Sequence, residues 1–467
     1  MDSNFSQKKL QIEMHKQKLM DERSNLSITN ILESDRFQDI INHCREFRER
    51  IYTPFITLIM FTKQVLCADK SCKKAVVDFV AKQSAASNDD ISSINTGPYS
   101  KARQRLPEET VHELVKEVGK SVSKHAHIGW KIYGREVKAF DGTTVKMADS
   151  EENQKQFPQH SNQKKGSGFP IARLLIIVSL TVGTVIDYAV DAYRGKGTGE
   201  QSLLRRIIGS LNKDDIVLGD RYFPSYFLMA DLKAINAEGI FRAQSQRSYD
   251  FRKGEKLGKN DHIVEWTKPN KPSWMDQKTY DDYPSELKVR EFKVYGNIYV
   301  TTFFNAKKYH KQELAKIYQL RWHIEININS IKTTMSMDML TCKTPSMVKK
   351  EIGIHLLSYN LIRTIMAEAC RKHSSDPRKI SFKGSVQLLT SFMPHFIDSN
   401  KINNKNMYVK MLKLIVKNKI GNRPGRMEPR VIKQRPKPFK TLKKPRNIEK
   451  NRLKKNAEKR ALKYAVA

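Results

Sequence analysis

Three acids in this chain stand where phosphodiester chemistry would need them. Asp141 falls inside the run Val137 to Met147 and is followed at once by Gly142, Thr143 and Thr144. Asp220 closes the apolar run Ile216-Val217-Leu218-Gly219. Glu325 belongs to a series in which Arg321, Glu325 and Lys332 follow Tyr318 by 3, 7 and 14 residues. On a helix turning ~100° per residue, the four fall at roughly 0°, 300°, 340° and 320°, within about 60° of one face. Cutting or joining a phosphodiester needs an activated oxygen nucleophile and stabilised charge at phosphorus. Two magnesium ions ~3.5–4 Å apart supply both. Magnesium takes hard oxygen ligands and keeps several waters, so a few carboxylates suffice. In that chemistry Glu325 would hold metal, and Arg321 and Lys332 would hold phosphate oxygens. The same stripe also reads as a salt-bridged helix face with Arg321 and Glu325 paired at i,i+4. Either aspartate by itself also reads as a turn or cap residue at a strand end.

The surrounding pattern places the acids on a sheet. Runs at 137–147, 171–180 and 184–193 read as strands, the last two joined as a hairpin near Thr181–Gly183. Thr198 and Gln201 form a capping-box pattern ahead of Leu203, Leu204, Ile207 and Ile208. A buried strand at 216–220, a helix opening at Pro224 and Ser225, and a strand at 239–244 follow. Strands alternating with helices after an antiparallel start predict a mixed sheet covered by helices, an α/β layer fold. Residues 247–300 hold 11 basic and 9 acidic residues with short alternating segments, which predicts a β-rich insertion. One long helix is expected from about Lys307 to Met335, then helices at 345–372 and near 383–393. Before the sheet the chain reads as helical, with helical spacing over Phe37–Leu66, a Gly97-Pro98 break, and a new start at Pro107 with Glu108 and Glu109. Lys101, Arg103 and Arg105 make this block a candidate DNA-binding domain; a plain helical bundle with a basic face fits equally well.

Charge narrows the partners. Lys plus Arg number 85 against 49 Asp plus Glu, a formal net charge of +36. Residues 401–467 alone carry 23 basic and 3 acidic residues, so a net +20 sits in that segment. Such an excess repels itself unless a polyanion compensates it, and nucleic acid is the usual one. A solvated tail or a membrane-surface patch is the blander alternative. With 39% hydrophobic residues, 20 Phe and 17 Tyr, the chain has material for a sizeable core, which excludes wholesale disorder. The five cysteines include no CxxC pair, which argues against a zinc ribbon and for free thiols in a reducing cytosol. The polar first 30 residues do not read as a signal peptide. Leu174–Val190, the most apolar stretch, is broken by Gly183 and Asp187 and is too short for a membrane span.

At these residues the chain resembles bacterial insertion-sequence transposases of the DDE class, the group marked by the spacing Y-x2-R-x3-E-x6-K seen in Tyr318–Lys332. Phe140-Asp141-Gly142-Thr143, Gly195 through Gln201, Leu218 through Phe223, Ser330 through Thr334 and the basic stretch Arg423 through Pro438 are similar to that group as well. The resemblance covers roughly residues 95–445. It implies an RNase H-like core with a β-rich insertion between the second Asp and the Glu. It implies two Mg²⁺ (or Mn²⁺) on Asp141, Asp220 and Glu325, with Tyr318, Arg321 and Lys332 on phosphates near the transposon end. It further implies terminal inverted repeats and target DNA as double-stranded partners. A homodimer pairing the ends, a hairpin intermediate, and a bacterial cytoplasmic protein that meets the nucleoid when bound follow from it too. Relatives hold a flipped base on an insertion Trp; Trp266 and Trp274 are the candidates here, although core packing is the favoured role for each. The expected organisation is 1–125 helical and DNA-binding, 126–246 first core segment, 247–300 insertion, 301–372 second core segment, and 373–467 helical and basic. A non-catalytic basic DNA-binding protein and a stand-alone nuclease with the same core are the competing functions.

Overall fold

The computed structural model describes residues 27–44, 51–86, 93–397, 401–421 and 444–465. The basic stretch at 423–438 and the polar start of the chain lie outside them. Nine strands form one sheet: β1 (Val137–Lys146), β2 (Ile171–Ser179), β3 (Val185–Ala192), β4 (Ile216–Gly219), β5 (Glu238–Arg242), β6 (Glu255–Gly258), β7 (Asp261–Thr267), β8 (Glu286–Val294) and β9 (Asn297–Thr301). Their order is β3-β2-β1-β4-β5-β9-β8-β7-β6. β4 runs parallel to β1 and to β5; every other neighbouring pair is antiparallel. The expected mixed sheet with helices is therefore present. The β-rich segment continues that sheet, because β9 pairs with β5.

The central strands are buried on both faces, as the near-continuous apolar run of β2 requires. Side chains alternate between faces. Leu174, Ile176 and Val178 join Val115, Val118 and Leu357 in one apolar cluster, while Leu175 and Ile177 join Leu203, Leu204 and Met229 in another. Helices Glu108–Lys124 and Pro345–Lys372 supply the first cluster; helices Glu200–Ile207 and Tyr226–Ala234 supply the second. Asn360 stitches the first layer together. Its amide donates to the carbonyls of Val115 (3.0 Å) and Val185 (2.8 Å) and accepts from the Val185 N–H at 2.7 Å.

Several local expectations fail for identifiable reasons. The Gly97-Pro98 pair does not end structure; it opens helix Gly97–Arg105, since proline is tolerated in a first turn. Phe37–Leu66 is not one helix: Asp35–Asn42 and Pro54–Leu66 are separate, and Thr53 caps the second at the Ile56 N–H. Thr198 is not an N-cap. Gly199 takes that position without a side-chain bond, and the Thr198 hydroxyl donates instead to the Gly195 carbonyl at 3.0 Å. The helix expected over 307–335 is broken. Lys311–Gln319 ends before Leu320 and Arg321, Trp322–Asn329 follows, and Ser330–Thr334 widens into a π-helical turn. Helix Phe382–Phe392 matches expectation, helix Arg446–Ala465 falls in the segment expected to be helical and basic, and Glu151–Gln156 and Lys401–Lys417 are helices that no pattern above marked.

Candidate active site

β1 and β4 pair only through Val137–Ala139 and Ile216–Leu218. Beyond Ala139 the two parallel strands part, and the opening lies at their carboxyl ends, where open α/β sheets place ligands. Asp141 and Asp220 flank this opening. Asp141 is held on β1 by pairing with Ile176, and its Oδ1 accepts the Gly142 N–H at 2.8 Å. Asp220 follows β4 directly, and its Oδ1 accepts the Tyr222 N–H at 2.7 Å. Asp220 thus also serves its local turn, as expected of a strand-end acid, whereas Asp141 lies inside β1 and not at a turn.

Arg321 brings the third acid to the first. Its Nη2 donates to Glu325 Oε1 at 2.8 Å, and its Nη1 lies 3.8 Å from Asp141 Oδ2. The i,i+4 pair and the convergence on Asp141 therefore coexist, because one guanidinium has donors for both. Lys332 does not simply lie along the Glu325 face. The π-helical turn re-aims it onto β1, where its Nζ donates to Thr143 Oγ1 at 3.2 Å. Tyr318 packs its ring edge-on against Tyr299, with centroids 5.3 Å apart. Asp220 and Arg321 both act on its hydroxyl, whose pKa burial raises.

Electrostatics mark the centre. Burial, with Asp220 and Glu200 adding repulsion, pushes the Asp141 carboxyl up to about 6 against the Gly142 N–H and Arg321, which pull it down. Burial also lowers Lys332, aided by Lys146. Among the described residues no three Asp, Glu, His or Cys groups stand close enough to grip a metal as they are. Glu325 is turned to Arg321. The donors themselves are hard carboxylate oxygens of the kind Mg²⁺ takes, and a divalent cation would offset both the burial that raises Asp141 and the repulsion its acidic neighbours add. In chemistry the residues fit the ion; closing the site requires Glu325 to exchange Arg321 for it.

The tryptophans of the β-rich segment sit differently from each other. Trp266 is buried; Arg247 lies 3.5 Å over its ring, and its Nε1 donates to Glu291 Oε1 at 2.9 Å. Trp274 is 47% exposed, with Arg205 3.6 Å over one face and Phe227 edge-on at 5.9 Å. Residues that sequence reasoning passed over also gather at the site. Trp322 and Ile326, 58% and 48% exposed, flank Arg321 and Glu325 with an open apolar face. Their i,i+4 spacing around an acid was the available signal. Glu200 and Arg173 approach from the other elements.

Residues 132–361 match the family model of the transposase DDE domain. The chain is 24% identical over 348 residues to the transposase InsG of insertion sequence element IS4 from Escherichia coli strain K12, across 72% of this chain and 76% of that protein. The cryo-EM structure of a piggyBac transposase synaptic complex with hairpin DNA aligns over 86% of each chain at 9% identity. Its TM-score is 0.41. No helix among the described residues is long and apolar enough to cross a membrane.

Proposed function

We propose that this chain, similar from residue 132 to 361 to the DDE domain of transposases, is a DDE transposase that cuts the ends of an insertion sequence and joins them to target DNA. One observation carries the reading: Arg321 contacts both Glu325 and Asp141, while Lys332 reaches Thr143 on the same strand. Five residues from two distant stretches of the chain are thereby joined at one sheet opening. The strand order β3-β2-β1-β4-β5, antiparallel only around β2, supports an RNase H-like core.

Asp141, Asp220 and Glu325 would hold two Mg²⁺. Bound there, the ions would activate the attacking oxygen and neutralise charge on the phosphate. The chain's own groups do the rest. Arg321 is a planar cation already balanced between two carboxylates, so a phosphate entering beside them has a bidentate partner in reach. Lys332 adds a point charge over Thr143, and Tyr318 a hydroxyl beside Asp220. Double-stranded transposon ends and target DNA are the partners; a homodimer that pairs two ends, a hairpin intermediate and a cytoplasmic location belong to the same proposal. Trp274 has the exposure to meet an extruded base once Arg205 yields its ring face, while Trp266 is buried.

The test incubates the full chain with duplexes bearing the inverted repeats that flank its gene, in Mg²⁺, and follows both end cleavage and joining to a plasmid. Cleaved ends and joined products are expected. Salt-sensitive binding without any cleavage would instead mark a non-catalytic DNA-binding protein, and hydrolysis without joined products a nuclease.

Two further results are expected. Lys332→Ala should leave binding of intact ends within about twofold but slow the steps on the cleaved end by about ten- to a hundredfold. That is the scale of one lost charged contact. Equal losses at every step would make Lys332 merely structural. The second concerns pH. A cation needs Asp141 ionised, and its pKa near 6 places proton competition there. Affinity for Mn²⁺ should therefore rise as pH increases toward neutrality and fall about tenfold per unit well below the pKa. An affinity that is flat from pH 5 to 8 would remove Asp141 from the ligand set.

A further inference from the structure

A fourth carboxylate reaches this site from an element that supplies none of the three acids. Glu200 opens helix Glu200–Ile207, and its carboxylate fills the space that a side chain at position 142 would take. A Cβ built on Gly142 would stand 2.3 Å from Glu200 Oε1 and 2.4 Å from its Cδ. Gly142 does not have a positive φ, so glycine is needed there for room and not for conformation. The approach is held from two sides. Arg173 Nη1, on β2, donates to the Thr198 carbonyl at 2.9 Å. Gln201 Nε2 donates at 2.9 Å to the carbonyl of Tyr222, just past Asp220. The start of this helix is thus pinned to the sheet beside Asp141 and to the loop of Asp220.

An acid in a first helical turn is favoured by the helix dipole. That accounts for the residue type at position 200 but not for a carboxylate laid against the residue after Asp141. No described residue hydrogen-bonds the Glu200 carboxylate. Arg173 and Asp220 act on it with opposite sign, and burial raises its pKa. Asp220 and Glu200 both add negative charge at Asp141, a cost that a cation would relieve by drawing the three carboxylates closer around it.

We propose that Glu200 supplies an oxygen to the divalent cation bound by Asp141 and Asp220, directly or through one of its waters, and that Gly142 is small to admit it. This rests on the reading of Asp141 and Asp220 as cation ligands.

The probe is Mn²⁺ alone, titrated into the full chain without DNA, with free Mn²⁺ read by electron paramagnetic resonance at neutral pH. Glu200→Gln keeps the shape and removes the charge. Gly142→Ala forces the flexible end of Glu200 away. Both should weaken Mn²⁺ by about tenfold, a difference of 1.4 kcal/mol. Asp141→Asn should weaken it at least as much. Glu265→Gln, on the exposed surface of β7, should bind as wild type. If Glu200→Gln binds as wild type while Asp141→Asn is weakened, the role of Glu200 is overturned and the aspartates stand. If both bind as wild type, the cation reading itself falls. Far-UV circular dichroism checks the fold, and the near-isosteric Glu200→Gln decides should Gly142→Ala not fold.

Discussion

Asp141→Asn is expected to lower Mg²⁺-dependent cleavage of end DNA by about a thousandfold or more, while binding of that DNA is kept or slightly strengthened. The size follows from removing one group that stabilises charge in a transition state, a loss of roughly 10²–10³ for a single donor and more where a metal is released. The sign on binding follows from charge. In the proposed site the phosphate comes to rest beside Asp141, and an amide would repel it less. Stability should not suffer, because burial and its acidic neighbours already push this carboxyl up to about 6, so a neutral group is welcome there. Melting temperature and end binding therefore separate lost chemistry from lost fold. Glu325→Gln should give the same cleavage defect, with its amide oxygen still able to accept from Arg321. If both variants cleave at wild-type rates, the site is elsewhere or the chain does not cut DNA.

The second large effect is on stability. Arg290 on β8 is fully buried and donates from Nε and Nη2 to the Asp261 carboxylate at 2.8 and 2.7 Å. Its Nη1 donates to the carbonyls of Phe303 (3.1 Å) and Tyr309 (2.9 Å). Arg290→Met keeps the volume but strands the Asp261 charge and two carbonyls in the interior. A loss of about 3–5 kcal/mol in urea unfolding is expected, as for other broken buried pairs. Replacing both partners, Arg290→Met with Asp261→Leu, should recover part of it, since no charge is then left alone. A single-variant loss below about 1 kcal/mol would mean that water or another group already satisfies Asp261. The consequence reaches the site, because Phe303 and Tyr309 lead into helix Lys311–Gln319, which carries Tyr318.

Much of this was legible in the residues themselves. Alternation and apolar runs mark β1 to β5 because a strand buried on both faces can hardly avoid Val, Ile and Leu. Asp141 stands out because it interrupts such a run, and Asp220 because it closes one. The excess of Lys and Arg is a property of composition and needs no coordinates to point at a polyanion. The three signature residues around Glu325 share one helical neighbourhood, so their order along the chain already implied proximity.

What the sequence left open depended on contacts between distant segments. Helical phase alone assumed an unbroken helix; the chain instead turns at Leu320–Arg321 and widens into a π-helical turn at Ser330–Thr334, from which Lys332 donates to Thr143. Whether Arg321 served an intrahelical pair or a shared site was undecidable from spacing, because Asp141 lies 180 residues away in sequence and 3.8 Å away in space. Trp266 and Trp274 look alike in sequence, and each carries an arginine over its ring, but only Trp266 lies within an apolar cluster, while Trp274 stays 47% exposed. Glu200 reads locally as an ordinary first-turn acid. The three acids of the opening sites were thus written in the chain. Their arrangement around one opening, with Glu200 beside them, was decided by the parting of β1 from β4 after Ala139, because a crevice exists only once two strands have paired and then diverged.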